Sequence, residues 1–237
     1  HRKMNIVILT GAGISAESGL PTFRGADGLW EEHRIEDVAT PEAFERDPET
    51  VQRFYNLRRA RLTDGTVHPN PAHLALAKLG KEFAGEVLLI TQNIDDLHER
   101  AGSEKLLHIH GELLKSRCTI CATVVRIQGN LSTSDHCPEC CSIGTLRPDI
   151  VWFGEIPYHL DEIATALGRA DLFVSIGTSG NVYPAAGFVA LANRAGAHTL
   201  ELNLEAGSTS SAFKESRLGR ASEIVPAWVD EIFGATG

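Results

Sequence analysis

The sequence predicts an α/β fold: a Rossmann-like doubly wound parallel sheet with a smaller inserted domain, made of a helical module and a zinc-binding module. Three observations predict it. Short continuous apolar runs alternate with helical segments, as in parallel strands buried on both faces. A glycine-rich turn, Gly11-Ala12-Gly13-Ile-Ser15-Ala16, directly follows the first run. Four cysteines form two Cys-x2-Cys pairs, Cys118/Cys121 and Cys137/Cys140, midway along the chain.

The strand-like runs are residues 5–9, 87–90, 150–153, 172–176 and 199–202. Helical segments fall between and after them at 72–79, 161–168, 184–195 and 226–233. Two stretches interrupt the alternation: 25–70, mostly helical, and 111–148, which holds the cysteines. The expected division is therefore a Rossmann-like domain of residues 1–24, 71–110 and 149–237. The helical module 25–70 and a zinc-ribbon-like module 111–148 together form the small domain.

Bulk properties narrow the function. The 237 residues carry a formal net charge of −9, which argues against sequence-independent nucleic-acid binding and suits cationic protein or peptide partners. No apolar run approaches the roughly 20 residues of a membrane span, and no signal peptide is expected before the first strand. All five cysteines lie within residues 118–141. Such crowding suits a metal site in a reducing cytoplasm better than a secreted disulfide framework.

Gly11-x-Gly13-x-x-Ala16 matches the G-x-G-x-x-G/A turn, in which glycines let the backbone approach a pyrophosphate and the next helix aims its positive end at the anion. The acidic residue that usually ends a second strand about 20 positions on is missing; residues 22–30 read as a loop. This departure weakens a hydride-transfer reading. The cysteine spacing fits tetrahedral zinc, and four thiolates leave no open position for water, so the metal is structural. Redox cysteines are the alternative, and Cys141 could replace Cys140. Residues 91–95, Thr-Gln92-Asn93-Ile94-Asp95, follow a strand, where α/β sheets bind ligands. His110 stands at a domain junction, where clefts form.

On a wheel of residues 51–62, Val51, Phe54, Tyr55 and Leu62 share one face with Arg58 in its middle. An arginine there needs an anionic partner. It is either a structural salt bridge to a core carboxylate, or a pocket in which Tyr55 and Arg58 grip a ligand carboxylate.

The constellation resembles the sirtuin family of NAD-dependent protein lysine deacylases, over nearly the whole chain from Gly11 to about Val225. The motifs occur in the family's order: Gly11-Ala-Gly-Ile-Ser15, Gly19-Leu-Pro-Thr-Phe-Arg24, Thr91-Gln-Asn-Ile-Asp95, His110-Gly111, the cysteine quartet, Phe153-Gly-Glu155, Gly177-Thr-Ser179 and Glu201-Leu-Asn203. The similarity is greatest to the bacterial CobB-type, class III branch, marked by Tyr-x-x-Arg, here Tyr55 and Arg58; that favours the carboxylate pocket.

The resemblance implies roles. Gly11, Ala12, Gly13, Ser15, Glu17, Thr22, Phe23, Arg24 and Trp30 would wrap the NAD pyrophosphate and ribose. Gln92, Asn93, Ile94 and Asp95 would line the ribose and nicotinamide pocket. Gly177, Thr178, Ser179, Asn203, Leu204 and Glu205 would hold the adenosine half, with Ala221 near the adenine through its backbone. His110, with Asn93, would be catalytic. His110 would act as general base, for which an imidazole's near-neutral pKa is suited. Phe153, Gly154 and Glu155 would pair with the substrate peptide as an added strand. The implied products are nicotinamide, free lysine and 2′-O-acyl-ADP-ribose, from acetyl-, succinyl- or malonyl-lysine. A cytoplasmic monomer without nucleic-acid or membrane partners is expected. The rival readings are mono-ADP-ribosyl transfer or NAD hydrolysis, and a non-catalytic NAD or ADP-ribose sensor.

Overall fold

The computed structural model describes residues 2–22 and 29–235. Its first half runs β1 (Asn5–Thr10), α1 (Gly13–Ala16), β2 (Leu29–Trp30), β3 (His33–Arg34), α2 (Ile35–Val38), α3 (Pro41–Arg46), α4 (Pro48–Thr63), α5 (Pro71–Glu82), β4 (Glu86–Thr91) and α6 (Leu97–Ala101). The second half adds β5 (Leu106–His108), β6 (Gly111–Cys118), β7 (Val124–Arg126), β8 (Leu146–Ile150), α7 (Leu160–Arg169), β9 (Leu172–Ile176), α8 (Phe188–Arg194), β10 (His198–Asn203), β11 (Glu215–Leu218) and α9 (Ala221–Ala235).

Six strands form one parallel sheet in the order β11-β10-β9-β1-β4-β5. The chain steps from β1 outward through β4 to β5, then crosses back to β9 on the other side of β1. That reversal opens a crevice at the carboxyl ends of β1 and β9. Alternation along β1 explains the layers. Ile6 and Ile8 face a core shared with α5 and α9, whereas Val7 and Leu9 face one shared with α7 and α8. The apolar runs at 5–9, 87–90, 172–176 and 199–202 all fall in this sheet.

The run at 150–153 does not. Ile150 ends β8, which pairs antiparallel with β6 in a separate three-stranded sheet, β7-β6-β8. Trp152 beyond it is buried against α4 rather than in a strand. A short apolar run states burial but not its pairing partner. β5 and β11 went unpredicted because each is short, and β11 alternates exposed residues with half-buried ones at a sheet edge. Helix α9 starts at Ala221, five residues before the expected 226, with Pro226 inside it.

Helix α4 begins with Asp47 accepting a hydrogen bond from Thr50 N and with Pro48 at its first position. It packs Val51, Phe54, Tyr55 and Leu62 against Leu113 and Leu114 of β6, together with Ile150 and Trp152. This third core joins the helices of 35–63 to the small sheet. Among the described residues no helix is long and apolar enough to cross a membrane.

Candidate active site

The floor of the site lies where β1 and β9 diverge. A Cβ on Gly11 would sit 2.8 Å from the Gly177 carbonyl oxygen, and one on Gly13 would sit 2.7 Å from the Gly177 Cα. Gly13 N donates to the Gly177 oxygen (2.8 Å). Only glycines allow this approach, so two distant motifs are one contact. The helix expected to aim its dipole at an anion is a single turn, α1, so the bare backbone of the turn does more of that work.

Polar side chains beneath the turn are buried and hydrogen-bonded to one another, with His98 Nδ1 left without a partner. Asn93 Nδ2 donates to the Gly11 oxygen (3.0 Å), and Ser15 Oγ donates to Asp95 Oδ2 (3.0 Å). Burial raises the pKa of the Asp95 carboxyl, against the donors Leu97 N and Ser15. His73 lies 3.3 Å from Ser15 Oγ, and burial lowers its pKa from an ordinary 6.5 to about 4, helped by Arg100. His98 lies 2.8 Å from Thr10 Oγ1 and is likewise pushed down by burial.

His110 enters the same space from the turn between β5 and β6. Its Nδ1 lies 3.2 Å from the Gln92 carbonyl oxygen. A carbonyl only accepts, so Nδ1 carries the proton and Nε2 is left as the basic nitrogen. Burial lowers the His110 pKa, partly opposed by that bond, so the ring is neutral near pH 7. His108, two residues earlier, is spent differently: it bridges the Asn93 carbonyl (2.9 Å) and Glu99 (3.0 Å). Burial pushes its pKa down, but Glu99 and Glu112 outweigh that and hold it up.

Helix α4 and the residues after β8 form the opposite wall. Tyr55 is wholly buried and its hydroxyl accepts from Trp152 Nε1 (2.9 Å). The Arg58 guanidinium lies 3.4 Å from the centre of the Phe54 ring, and Nη1 donates to the Phe54 carbonyl. Its charge meets Glu31, with Nε 2.7 Å from Oε2. The salt-bridge alternative is thus realised, though with a carboxylate of the cleft rather than of a core. Glu155 turns its carboxylate onto Arg147 (2.7 and 2.8 Å) and Trp152 N (2.9 Å). Its side chain fixes the loop, in which Phe153 N donates to the Ala39 oxygen (3.0 Å) and Glu155 N to the Trp152 oxygen (3.0 Å).

One continuous cleft joins floor and wall. Every residue expected to hold NAD or acyl-lysine lines it, with His110 between the two sides. The exceptions are Phe23 and Arg24, which lie outside the described residues.

The cysteines stand apart from this cleft at the far end of the small sheet. Sγ of Cys118 lies 3.7 Å from that of Cys140, and Sγ of Cys121 lies 3.6 Å from that of Cys137. All four sulfurs fall within 4.8 Å of one another. A tetrahedron with Zn–S bonds of about 2.3 Å has edges of about 3.8 Å. The sulfurs therefore fit a structural zinc site, and Cys140 rather than Cys141 completes it.

Comparison with known proteins gives the same picture. The Sir2 family model matches residues 11–184. The chain belongs to the Sir2 family. It is 58% identical over 228 residues to an NAD-dependent protein deacylase of Vibrio vulnificus, covering 96% of this chain and 93% of that one. It is 59% identical over 230 residues to the NAD-dependent protein deacylase SIR2rp3 of Leishmania major, covering 96% and 95%. A solved Sir2 homologue–NAD complex superposes with a TM-score of 0.87 at 39% identity, covering 98% of this chain and 90% of that one.

Several residues in and beneath this Sir2 cleft escaped sequence reasoning. Trp152 caps Tyr55 but reads as strand core. Glu31 falls just beyond the loop at 22–30, in the stretch read as mostly helical. His73 had a signal: in Asn70-Pro-Ala-His73 the asparagine caps α5 and His73 Nδ1 accepts from Asn70 N (3.1 Å), a capping box with histidine at N3.

Proposed function

We propose that this Sir2 chain removes acyl groups from protein lysines in an NAD-dependent reaction, and that succinyl and malonyl groups are among its substrates beside acetyl. NAD would supply a ribose carbon that exchanges nicotinamide for the acyl oxygen and a hydroxyl that receives the acyl carbon, and one water would release the lysine, so the products are nicotinamide, free lysine and 2′-O-acyl-ADP-ribose. The observation that carries the reading is the single cleft: a neutral, half-buried imidazole lines it together with the glycine floor and the Tyr55–Arg58 wall.

Each side has a task in this reading. The turn Gly11–Gly13, with Gly177 and Thr178, holds the pyrophosphate and adenosine half. Gln92, Asn93 and Asp95 fix the ribose and nicotinamide end, their orientation set by the buried bonds beneath. His110 Nε2 takes a proton from the ribose hydroxyls, and its lowered pKa keeps it available as a base. The backbone of residues 153–155 receives the peptide. Arg58 meets the terminal carboxylate of a succinyl or malonyl group, a guanidinium being the side chain suited to bidentate carboxylate binding. The cysteine-bound zinc holds the small sheet, and through β6 and β8 it fixes His110 and Trp152.

The wider setting follows from the same features. The thiolate cage calls for a reducing cytoplasm, and a formal net charge of −9 favours proteins over nucleic acids as partners. We read the protein as a monomer with residues 25–70 and 111–148 as its small domain.

The test uses one peptide bearing acetyl- or succinyl-lysine, with and without NAD, followed by mass spectrometry of peptide and nucleotide. NAD-dependent loss of both groups with 2′-O-acyl-ADP-ribose is expected. Arg58→Met should impair desuccinylation far more than deacetylation. Equal losses would remove the carboxylate pocket, and consumption of NAD with no acylated nucleotide would favour NAD hydrolysis or ADP-ribosyl transfer.

A further inference from the structure

The acyl wall already contains a carboxylate. Glu31 lies in the turn between the two short antiparallel strands β2 and β3, and its carboxylate reaches Arg58 Nε at 2.7 Å. Both residues line the cleft. The turn that carries Glu31 is strained: Glu31 has φ 46° and Glu32 φ 69°. A two-residue hairpin turn with both φ values positive favours Asn-Gly, and side chains larger than asparagine are costly there. The Glu31–Arg58 ion pair, three-quarters or more shielded from solvent at both ends, helps hold a hairpin that its own backbone disfavours.

The guanidinium is already partly engaged, by one hydrogen bond from Nη1 and by the charge of Glu31 beside Nε, which makes no hydrogen bond of its own. Nη1 is committed to the Phe54 carbonyl at 2.8 Å, and Nε faces Glu31. A bidentate carboxylate needs two adjacent N–H groups on one edge of the fork. Each edge that includes one of these nitrogens is therefore partly taken. A second carboxylate would also meet like charge at close range. Arg61, one turn on along α4, offers Glu31 another place: its Nη1 stands 3.8 Å from Glu31 Oε1, and its side chain is half exposed.

We propose that Glu31 is a specificity-determining residue that stands in for the acyl carboxylate, an inference that rests on the carboxylate-pocket reading. With acetyl-lysine, Glu31 stays on Arg58 and neutralises a cation that the acyl group cannot satisfy. With succinyl- or malonyl-lysine, the substrate carboxylate takes Arg58 and Glu31 shifts to Arg61. One pocket thereby accepts neutral and anionic acyl groups, at the cost of competition against the anionic ones.

The experiment compares wild type, Glu31→Gln and Glu32→Gln on acetyl- and succinyl-peptides, with kcat and KM resolved. Glu31→Gln keeps the size of the side chain and the strain of the turn but removes the charge. Its KM for the succinyl-peptide should fall by about two- to fivefold, the range of a partly exposed ion pair, while kcat/KM for the acetyl-peptide falls. Glu32→Gln, in the same turn with its side chain exposed, should leave the succinyl-to-acetyl ratio unchanged. A Glu31→Gln ratio equal to wild type, or one that drops, overturns the inference. So does a crystal structure of wild type with a succinyl-peptide in which Glu31 and the substrate both remain on Arg58. Wild type that removes acetyl but never succinyl defeats the pocket reading itself. Desuccinylation with an unmoved ratio defeats only the role given to Glu31.

Discussion

The two sides of the cleft are held by different physics. The parallel-sheet side rests on apolar burial: β1 is sandwiched between two cores, each closed by a pair of helices. The far end of the small sheet has almost no apolar core. Its buried cluster is Cys118, Leu131, Cys137 and Leu146, with Ile127 beside it, and metal ligation must supply what burial does not. His110 hangs between them: it directly precedes the small sheet but bonds back to Gln92 of the large one. One side can therefore be loosened while the other stands.

Removing the metal should break the comparison most sharply. Chelation, or Cys118→Ser, is expected to unfold residues 111–148 while the parallel sheet persists, because structural zinc contributes about 10–16 kcal/mol in small zinc modules. Hydrogen exchange should show lost protection in β6, β7 and β8 with β1, β4 and β9 still protected. Uniform loss would mean that the two sides form one cooperative unit. Deacylation should vanish with the small sheet.

His110→Ala addresses the junction alone. Turnover should fall by about 10²–10⁴-fold, the usual contribution of a general base, with NAD affinity retained because the floor is untouched. Retained function would instead fit a sensor, and a parallel loss of NAD binding would mean that His110 also shapes the floor.

Acid should weaken the floor before the wall. His73, His98 and His110 are each held below their ordinary pKa, chiefly by burial. The unfolded chain therefore binds more protons than the folded one as pH falls below about 6.5, and stability is lost from there down to about pH 4. For His73, lowered to about 4, the full effect is on the order of 3 kcal/mol. His108, held above its ordinary value by Glu99 and Glu112, opposes this in part. Urea midpoints measured between pH 7.5 and 4.5 should decline, and His73→Gln should flatten the decline. The acid limb of kcat/KM should fall below the ordinary histidine range, and a limb above 6.5 would contradict the burial of His110.

Much of this molecule was legible because burial writes itself as hydrophobicity. Four of the five apolar runs became parallel strands, and the spacing of the cysteines anticipated a sulfur cluster. The run at 150–153 misled because Ile150 and Trp152 are buried in the third core, and composition does not name the core a residue joins. On α4 the wheel placed Arg58 on the buried face but passed over Arg59, which is 1% exposed. Arg59 donates to the carbonyls of Leu113 (2.9 Å) and Gly129 (3.4 Å) and to Asn56 Oδ1 (2.8 Å). It lies on the flank of the apolar arc, where packing against β6 widens the buried face beyond what the wheel alone implies.

The sequence by itself determined the strand order's raw material, the glycine turn, the cysteine quartet and the residue types able to bind NAD and move a proton. These are local properties of spacing, propensity and side-chain chemistry. Only the tertiary structure decided that Gly11 and Gly13 close on Gly177, that Trp152 caps Tyr55 and that Glu31 rests on Arg58. Each of these pairs residues more than 25 positions apart, and no local pattern encodes which distant partner a buried polar group will meet.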